Sequence, residues 1–317
     1  MKIFWKASCV PEAAAPARVR DNPWMFEGFE RRRAQLDGVE IDHLIGGAGP
    51  PVVLLHGFPQ TGVMWRGVAP ALAASHTVVV PDLRGYGASS VPASQHDHAQ
   101  ASFRAMAGDV VALLRGLGHA RATVIGHDRG ARVTHRLALD HPDVLERAAV
   151  LDILPTLTMY ERTDQRFASI YWHWFFLIQP APFPEMLLTG AMEPFLTAQL
   201  RGQVQSGAVS AEAFAAYLEA ANDPEVVRGW CEDYRAAATI DLVHDRADRD
   251  AGRRIACPLL VLWGGRNPVW EQFGDPLSIW REHATGEVRG EALDCGHFLP
   301  EEAPERTLHL LEAFLGG

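Results

Sequence analysis

Ala122-Thr123-Val124-Ile125-Gly126-His127-Asp128-Arg129-Gly130-Ala131 is the stretch whose reading decides the fold. An apolar run of strand type enters a Gly-x-Asp-x-Gly motif, and a helix-like segment, Ala131–His141, leaves it. Glycines on either side of one polar residue permit the sharp strand-to-helix turn that lifts a single side chain above the end of a sheet. A serine at such an apex attacks carbonyl carbon and needs a base to take its proton. An aspartate is already ionised at neutral pH, so Asp128 can attack a saturated carbon directly and form an ester. The chemistry expected is therefore displacement rather than acyl transfer.

Around this motif, short apolar runs alternate with helix-period segments, the pattern of βαβ units in a mostly parallel sheet. Strands are expected at Val52–Leu55, Thr77–Val80, Thr123–Ile125, Ala148–Leu151, Leu259–Trp263 and just before Asp294. Helices are expected at Met64–Ala74, Ser102–Leu117, Ala131–His141 and Pro304–Leu315, with Pro142 stopping the third. Between about Pro155 and Gly252 the alternation lapses into aromatic-rich helical patterning (Tyr160, Phe167, Tyr171, Trp172, Trp174, Phe175, Phe176). Strand, nucleophile turn and interruption together predict an α/β-hydrolase fold. Its core would be residues 26–154 and 253–317, with an inserted helical cap at 155–252. Residues 1–25, with Ala13-Ala14-Ala15-Pro16-Ala17, read as a flexible extension.

Two further blocks supply partners for Asp128. His56-Gly57-Phe58-Pro59 directly follows an expected strand. In this fold the backbone N–H after His-Gly, here Phe58, joins the N–H after the nucleophile, here Arg129, as an oxyanion hole. His56 itself reads as structural. Cys295-Gly296-His297-Phe298, followed by Leu299-Pro300-Glu301-Glu302, places a histidine after the last strand. His297 is the expected general base, acting on the water that hydrolyses the ester. The residues after the Leu259–Trp263 strand, Gly264-Gly265-Arg266-Asn267-Pro268, hold no carboxylate, whereas Asp152 directly follows Ala148–Leu151. Asp152 is thus the acid expected to orient His297, with Asp275 as a weaker rival.

Composition narrows the partners. The 317 residues are 48% hydrophobic and carry 29 Lys and Arg against 39 Asp and Glu, a net charge of −10 with no basic run. This argues against nucleic acid and anionic membranes. An acidic protein binding an anionic substrate needs local arginines, and Arg129 and Arg132 flank Asp128 on one helix face. Cys9, Cys231, Cys257 and Cys295 show neither metal nor disulfide spacing, and no cofactor is called for. Lys6 and the acidic and proline residues after Met1-Lys2-Ile3-Phe4-Trp5 argue against a signal peptide, and no run is long enough to span a membrane. A cytoplasmic protein is expected.

With these blocks assembled, the chain closely resembles the fluoroacetate (haloacetate) dehalogenases over about Phe26 to Phe314. The matching runs are His56–Thr61, Gly126–Arg132, Leu151–Pro155, His173-Trp174, Gln179–Pro182, Cys231–Arg235 and Gly296–Glu302. The resemblance implies that Asp128 displaces halide from the α-carbon of a short 2-halocarboxylate and that His297, held by Asp152, hydrolyses the ester. It implies that Arg129 and Arg132 hold the substrate carboxylate, that His173, Trp174 and Tyr234 donate hydrogen bonds to the leaving halide, and that the protein is a homodimer. This chain departs from those relatives at Gln203, within Ala198–Gln203, where they carry a bulky tryptophan; a roomier pocket is expected. Soluble epoxide hydrolases share the Asp–His–Asp set and are the alternative, with Tyr160, Tyr171, Tyr217 and Tyr234 as candidate epoxide-oxygen donors.

Overall fold

The computed structural model describes residues 26–316; the expected extension 1–25 lies outside them. Among the described residues eight strands form one sheet in the order β1-β2-β4-β3-β5-β6-β7-β8. They are β1 (Phe29–Leu36), β2 (Val39–Gly46), β3 (Pro51–Leu55), β4 (Thr77–Pro81), β5 (Ala122–His127), β6 (Leu145–Leu151), β7 (Leu259–Gly264) and β8 (Val288–Leu293). From β4 to β8 every neighbouring pair is parallel. The central strands are buried on both faces, which is why Val, Ile, Leu and Ala fill them without alternation.

β1 and β2 are antiparallel to each other, and β2 is antiparallel to β4. This hairpin was not expected, because Arg31-Arg32-Arg33 disguises an edge strand. The arginines lie on a half-exposed ribbon and pair across it, Arg31 Nε with Asp42 at 2.8 Å and Arg33 with Glu40 at 3.0 Å. Asp37-Gly38, between two strand-length runs, was the signal available.

Three expected helices are present as Phe103–Gly116, capped by Ser102, Arg129–Asp140 and Pro304–Leu315. The fourth, Met64–Ala74, is a correction. A 3₁₀ turn runs over Gly62–Gly67 with Thr61 as its cap, and only Ala69–Leu72 is α-helical. Val68 leaves helical geometry between them, with Pro70 fixed in the first turn of the second piece. Between β6 and β7 the chain is helical, from Thr156–Glu161 through Pro224–Ala238 to Ile240–Asp250.

The topology places chemistry at one edge. Phe58 follows β3, Asp128 follows β5, Asp152 follows β6, Asn267 follows β7 and His297 follows β8. All lie beyond the carboxyl ends of parallel strands, where open α/β sheets bind ligands.

Candidate active site

Asp128 sits at the apex between β5 and helix Arg129–Asp140 with φ 46° and ψ −111°, a region that costs energy for a residue with a side chain. The flanking glycines make the turn possible. A Cβ at Gly126 would stand 2.3 Å from the Gly130 carbonyl oxygen, and one at Gly130 would stand 2.5 Å from that of Leu55. The Phe58 backbone N–H donates to Asp128 Oδ1 at 3.0 Å. Arg129, whose N–H is the other expected oxyanion donor, opens the helix directly beyond the apex. Burial disfavours the Asp128 charge, yet His297, Arg132 and Arg129 are among the groups that outweigh it and hold the carboxyl down at about 2. Asp128 is an anion throughout the neutral range.

His297 Nε2 faces Asp128 Oδ2 at 3.8 Å, beyond hydrogen-bond reach. Its other ring nitrogen, Nδ1, lies 2.5 Å from Asp152 Oδ2. Burial opposes protonation of His297, but the hydrogen bond and charge of Asp152, and then Asp128, raise its pKa above the ordinary histidine value. Asp152, itself at φ 56°, is fixed by the Gly264 N–H at 2.7 Å and Asn267 Nδ2 at 2.8 Å. Asp275 is instead the cap of helix Pro276–Glu282, accepting from the N–H groups of Leu277 and Ser278. It is no partner for His297.

Asn267 was not foreseen as a site residue. It stands after β7, the position whose lack of a carboxylate turned attention to Asp152, and its amide also reaches Tyr171 Oη at 3.2 Å. His127 is a second residue missed; its Nε2 meets the His297 carbonyl at 2.8 Å. Burial, then the charge of His297, lowers its pKa to about 3, so it is neutral and donates to that carbonyl. His56 is structural as expected: its Nε2 accepts from the Leu83 N–H at 3.0 Å.

The two arginines separate. The Arg129 fork is committed to Asp233, with Nε to Oδ2 at 2.8 Å, Nη2 to Oδ1 and Nη2 to the backbone carbonyl at 3.0 Å. Tyr86 donates to the same carboxylate at 2.6 Å. Only Arg129 Nη1 is left without a partner. Arg132 has no carboxylate partner among the described residues. It donates to the Leu154 carbonyl at 3.2 Å, Thr156 Oγ1 at 3.0 Å and Met159 Sδ at 3.2 Å, and its buried Nε is unpartnered.

The aromatic residues expected to meet the halide lie around these groups. The Arg129 guanidinium lies over the Tyr234 ring at 4.2 Å and that of Arg132 over Trp174 at 4.8 Å. His173 stacks on Phe58 at 5.5 Å and contacts Tyr234 edge-on at 5.9 Å. Burial lowers the His173 pKa to about 3, leaving a neutral ring with one N–H. Trp174 Nε1, Tyr234 Oη and Tyr160 Oη are buried without hydrogen-bond partners. Buried donors are almost always satisfied, and these orphans gather with Arg129 Nη1 and Arg132 Nε around the aromatic rings beside Asp128. A cleft of about 340 Å³, lined by Asp128, His173, Trp172, Gln203 and His297 among others, leads to Asp128.

The turn, the strand ends and the order Asp128, Asp152, His297 define the class. Residues 50–304 match the model of the alpha/beta hydrolase fold family, and the chain belongs to that family. Among its relatives, a fluoroacetate dehalogenase from Burkholderia sp is 45% identical, over 92% of this chain and 95% of the relative. A soluble epoxide hydrolase from Corynebacterium sp. (strain C12) is 32% identical, over 89% of this chain and 95% of the relative. The solved structure of ALR0039 from Nostoc sp PCC 7120 superimposes with a TM-score of 0.87 at 49% identity, covering 90% of this chain and 98% of that one.

Proposed function

We propose that the protein is a haloacetate dehalogenase, hydrolysing the carbon–halogen bond of fluoroacetate and other short 2-halocarboxylates to the 2-hydroxy acid and halide. One observation carries this reading: an ionised, strained Asp128 lies one helical turn from Arg132, a buried guanidinium with no carboxylate of its own. Asp128 is its nearest compensating charge; a buried cation so thinly compensated is costly, and an anionic substrate offsets that cost.

The mechanism we propose assigns each group a role that its position supports. Oδ1, held by the Phe58 N–H, remains the carbonyl oxygen, and Oδ2 attacks the α-carbon from the side opposite the halogen. Halide leaves with the bonding pair toward His173, Trp174 and Tyr234, whose donors gain strength as charge develops on it. Esterification removes the Asp128 charge, one of the causes raising the His297 pKa, so the base becomes easier to use when it is needed. Water then attacks the ester carbon and gives a proton to His297 Nε2, while Asp152 supports the imidazolium. The oxyanion on Oδ1 is held by the Phe58 and Arg129 N–H groups. Its collapse expels the hydroxy acid, protonated by His297, and restores Asp128.

The arginines are predicted to behave differently. Arg132→Met should cost haloacids roughly 2–5 kcal/mol of binding, as for one partner of a desolvated charge pair, and neutral haloacetamide much less. Arg129→Met should chiefly lower stability, by roughly 3–5 kcal/mol, because Asp233 is left buried without its cation. Thermal unfolding beside kcat/KM on both substrates checks this, and equal Arg132→Met losses on acid and amide would make Arg132 structural.

Tyr234→Phe separates leaving groups. Fluoride departs from the stronger bond with its charge more concentrated, so loss of one charge-assisted hydrogen bond, about 1.5–3 kcal/mol, should slow defluorination on the order of tenfold to a hundredfold. Debromination of the matching acid should change little in single-turnover measurements. A common factor on both would assign Tyr234 to packing.

Epoxide hydrolysis is the second reading, favoured by the orphan hydroxyls of Tyr160 and Tyr234. Tyr217 and Tyr171 are less suited, since Tyr217 donates to Glu301 at 2.9 Å and Tyr171 is bonded to Asn267. Arg132 favours an acid over a neutral epoxide. Halide release from fluoro-, chloro- and 2-chloropropionate, run beside diol formation from an epoxide, decides between them; diol without halide would overturn the dehalogenase reading.

A further inference from the structure

Glu302, in the Leu299–Glu302 run beyond His297, takes no part in the chemistry above, yet its carboxylate spans the histidine. Oε2 accepts from the Gly296 N–H at 2.7 Å and Oε1 from the Phe298 N–H at 3.0 Å, the N–H groups of the residues on either side of His297. One carboxylate therefore fixes the backbone on both sides of the base. Oε1 also accepts from Gln203 Nε2 at 3.0 Å. Gln203 belongs to helix Arg201–Ser206 of the inserted helical segment and lines the same cleft as Asp128 and His297.

The neighbouring Glu301 ties the same elements differently. It is buried, accepts from Tyr217 Oη at 2.9 Å, and is also held by Gln60 and Arg66. Arg66 in turn donates to the Ala208 carbonyl at 3.0 Å. Glu301 thus anchors the helical segment to the core without touching the His297 peptides. Glu302 is the member of the pair that reaches the base.

We propose that Glu302 is a positioning residue for His297 and that Gln203 makes its grip depend on the helical segment covering the cleft. This rests on the ester mechanism proposed above. His297 Nε2 has to address water at the ester carbon, and Nδ1 must stay on Asp152; a small rotation of the loop spoils both. Displacement of halide by Asp128 needs neither. Loss of Glu302 should therefore fall on the second step alone, whereas a general structural defect would slow both. Glu302 is also among the charges that raise the His297 pKa, so its neutralisation should move the acid limb of ester hydrolysis to lower pH.

The test uses the full-length protein and chloroacetate in rapid-mixing experiments that time chloride release and glycolate formation separately. Glu302→Gln is expected to release a chloride burst near the wild-type rate and then turn over on the order of tenfold to a hundredfold more slowly, the penalty of a misplaced catalytic group. The ester should accumulate, and the acid limb of the hydrolysis step should shift downward. Gln203→Met should show the same pattern with a smaller fall, about threefold to tenfold. It carries the test alone if Glu302→Gln does not fold. Unchanged hydrolysis in the folded variants, or equal slowing of both steps, overturns the proposal. Absence of any chloride burst or ester in the wild-type and His297→Asn proteins would instead count against the mechanism on which it rests.

Discussion

Asp128→Asn is expected to release no measurable halide while remaining folded. The asparagine Oδ1 can still accept from the Phe58 N–H, which in the native protein meets the carboxylate at 3.0 Å, so the turn loses no hydrogen bond. What it loses is the nucleophile. A neutral amide has no anionic oxygen for a saturated carbon, and the fall should be on the order of a millionfold, the scale of deleting a covalent nucleophile. Arg132 loses its nearest compensating charge in the same change, so haloacid affinity should be retained or improved while turnover disappears. Halide release near the wild-type rate in a folded Asp128→Asn protein would remove the covalent mechanism.

His297→Asn is expected to divide the reaction. The first step does not use the imidazole, so one equivalent of halide per active site should appear in a burst. Hydrolysis should then slow by roughly 10²–10⁴-fold, the usual contribution of a general base. The substrate-derived acid should remain attached to the chain, visible as an intact-mass increment that peptide mapping places on Asp128. A folded His297→Asn protein that neither bursts nor acquires mass would show that His297 does other work.

Much of this arrangement is legible in the chain because it is written locally. β3 to β7 read as apolar runs since parallel strands inside the sheet are covered on both faces, and Asp128, Asp152 and His297 announce themselves by following strand ends in a recognisable order. β1 escapes notice because its arginines satisfy their charge on β2, across a turn rather than within the run. Arg129 is only partly legible for a related reason. Its motif position suggests a carboxylate clamp equivalent to Arg132, but Asp233, 104 residues away, takes its Nε and Nη2 and leaves Nη1. No local pattern carries such a pairing, and only the fold shows that, of the two arginines, Arg132 is the one without a carboxylate partner among the described residues. Asn267 is hidden in the same way, acting on a catalytic side chain supplied by another strand end, whereas Glu302 lies close in sequence but acts on backbone N–H groups, which side-chain patterns do not register. Gln203, expected to enlarge the cleft, lines it and is bonded to Glu302.

The central claim is that water attacks the Asp128 ester and never the substrate carbon. A single turnover with enzyme in excess over chloroacetate, run in water enriched in heavy oxygen, tests it directly. The account predicts that the first glycolate released carries its new oxygen from Asp128 and is unlabelled, while the label enters the Asp128 carboxylate and is recovered in the peptide containing Gly126–Gly130. Labelled glycolate in that first turnover, with Asp128 unlabelled, would mean that water displaces the halide directly and would contradict the account.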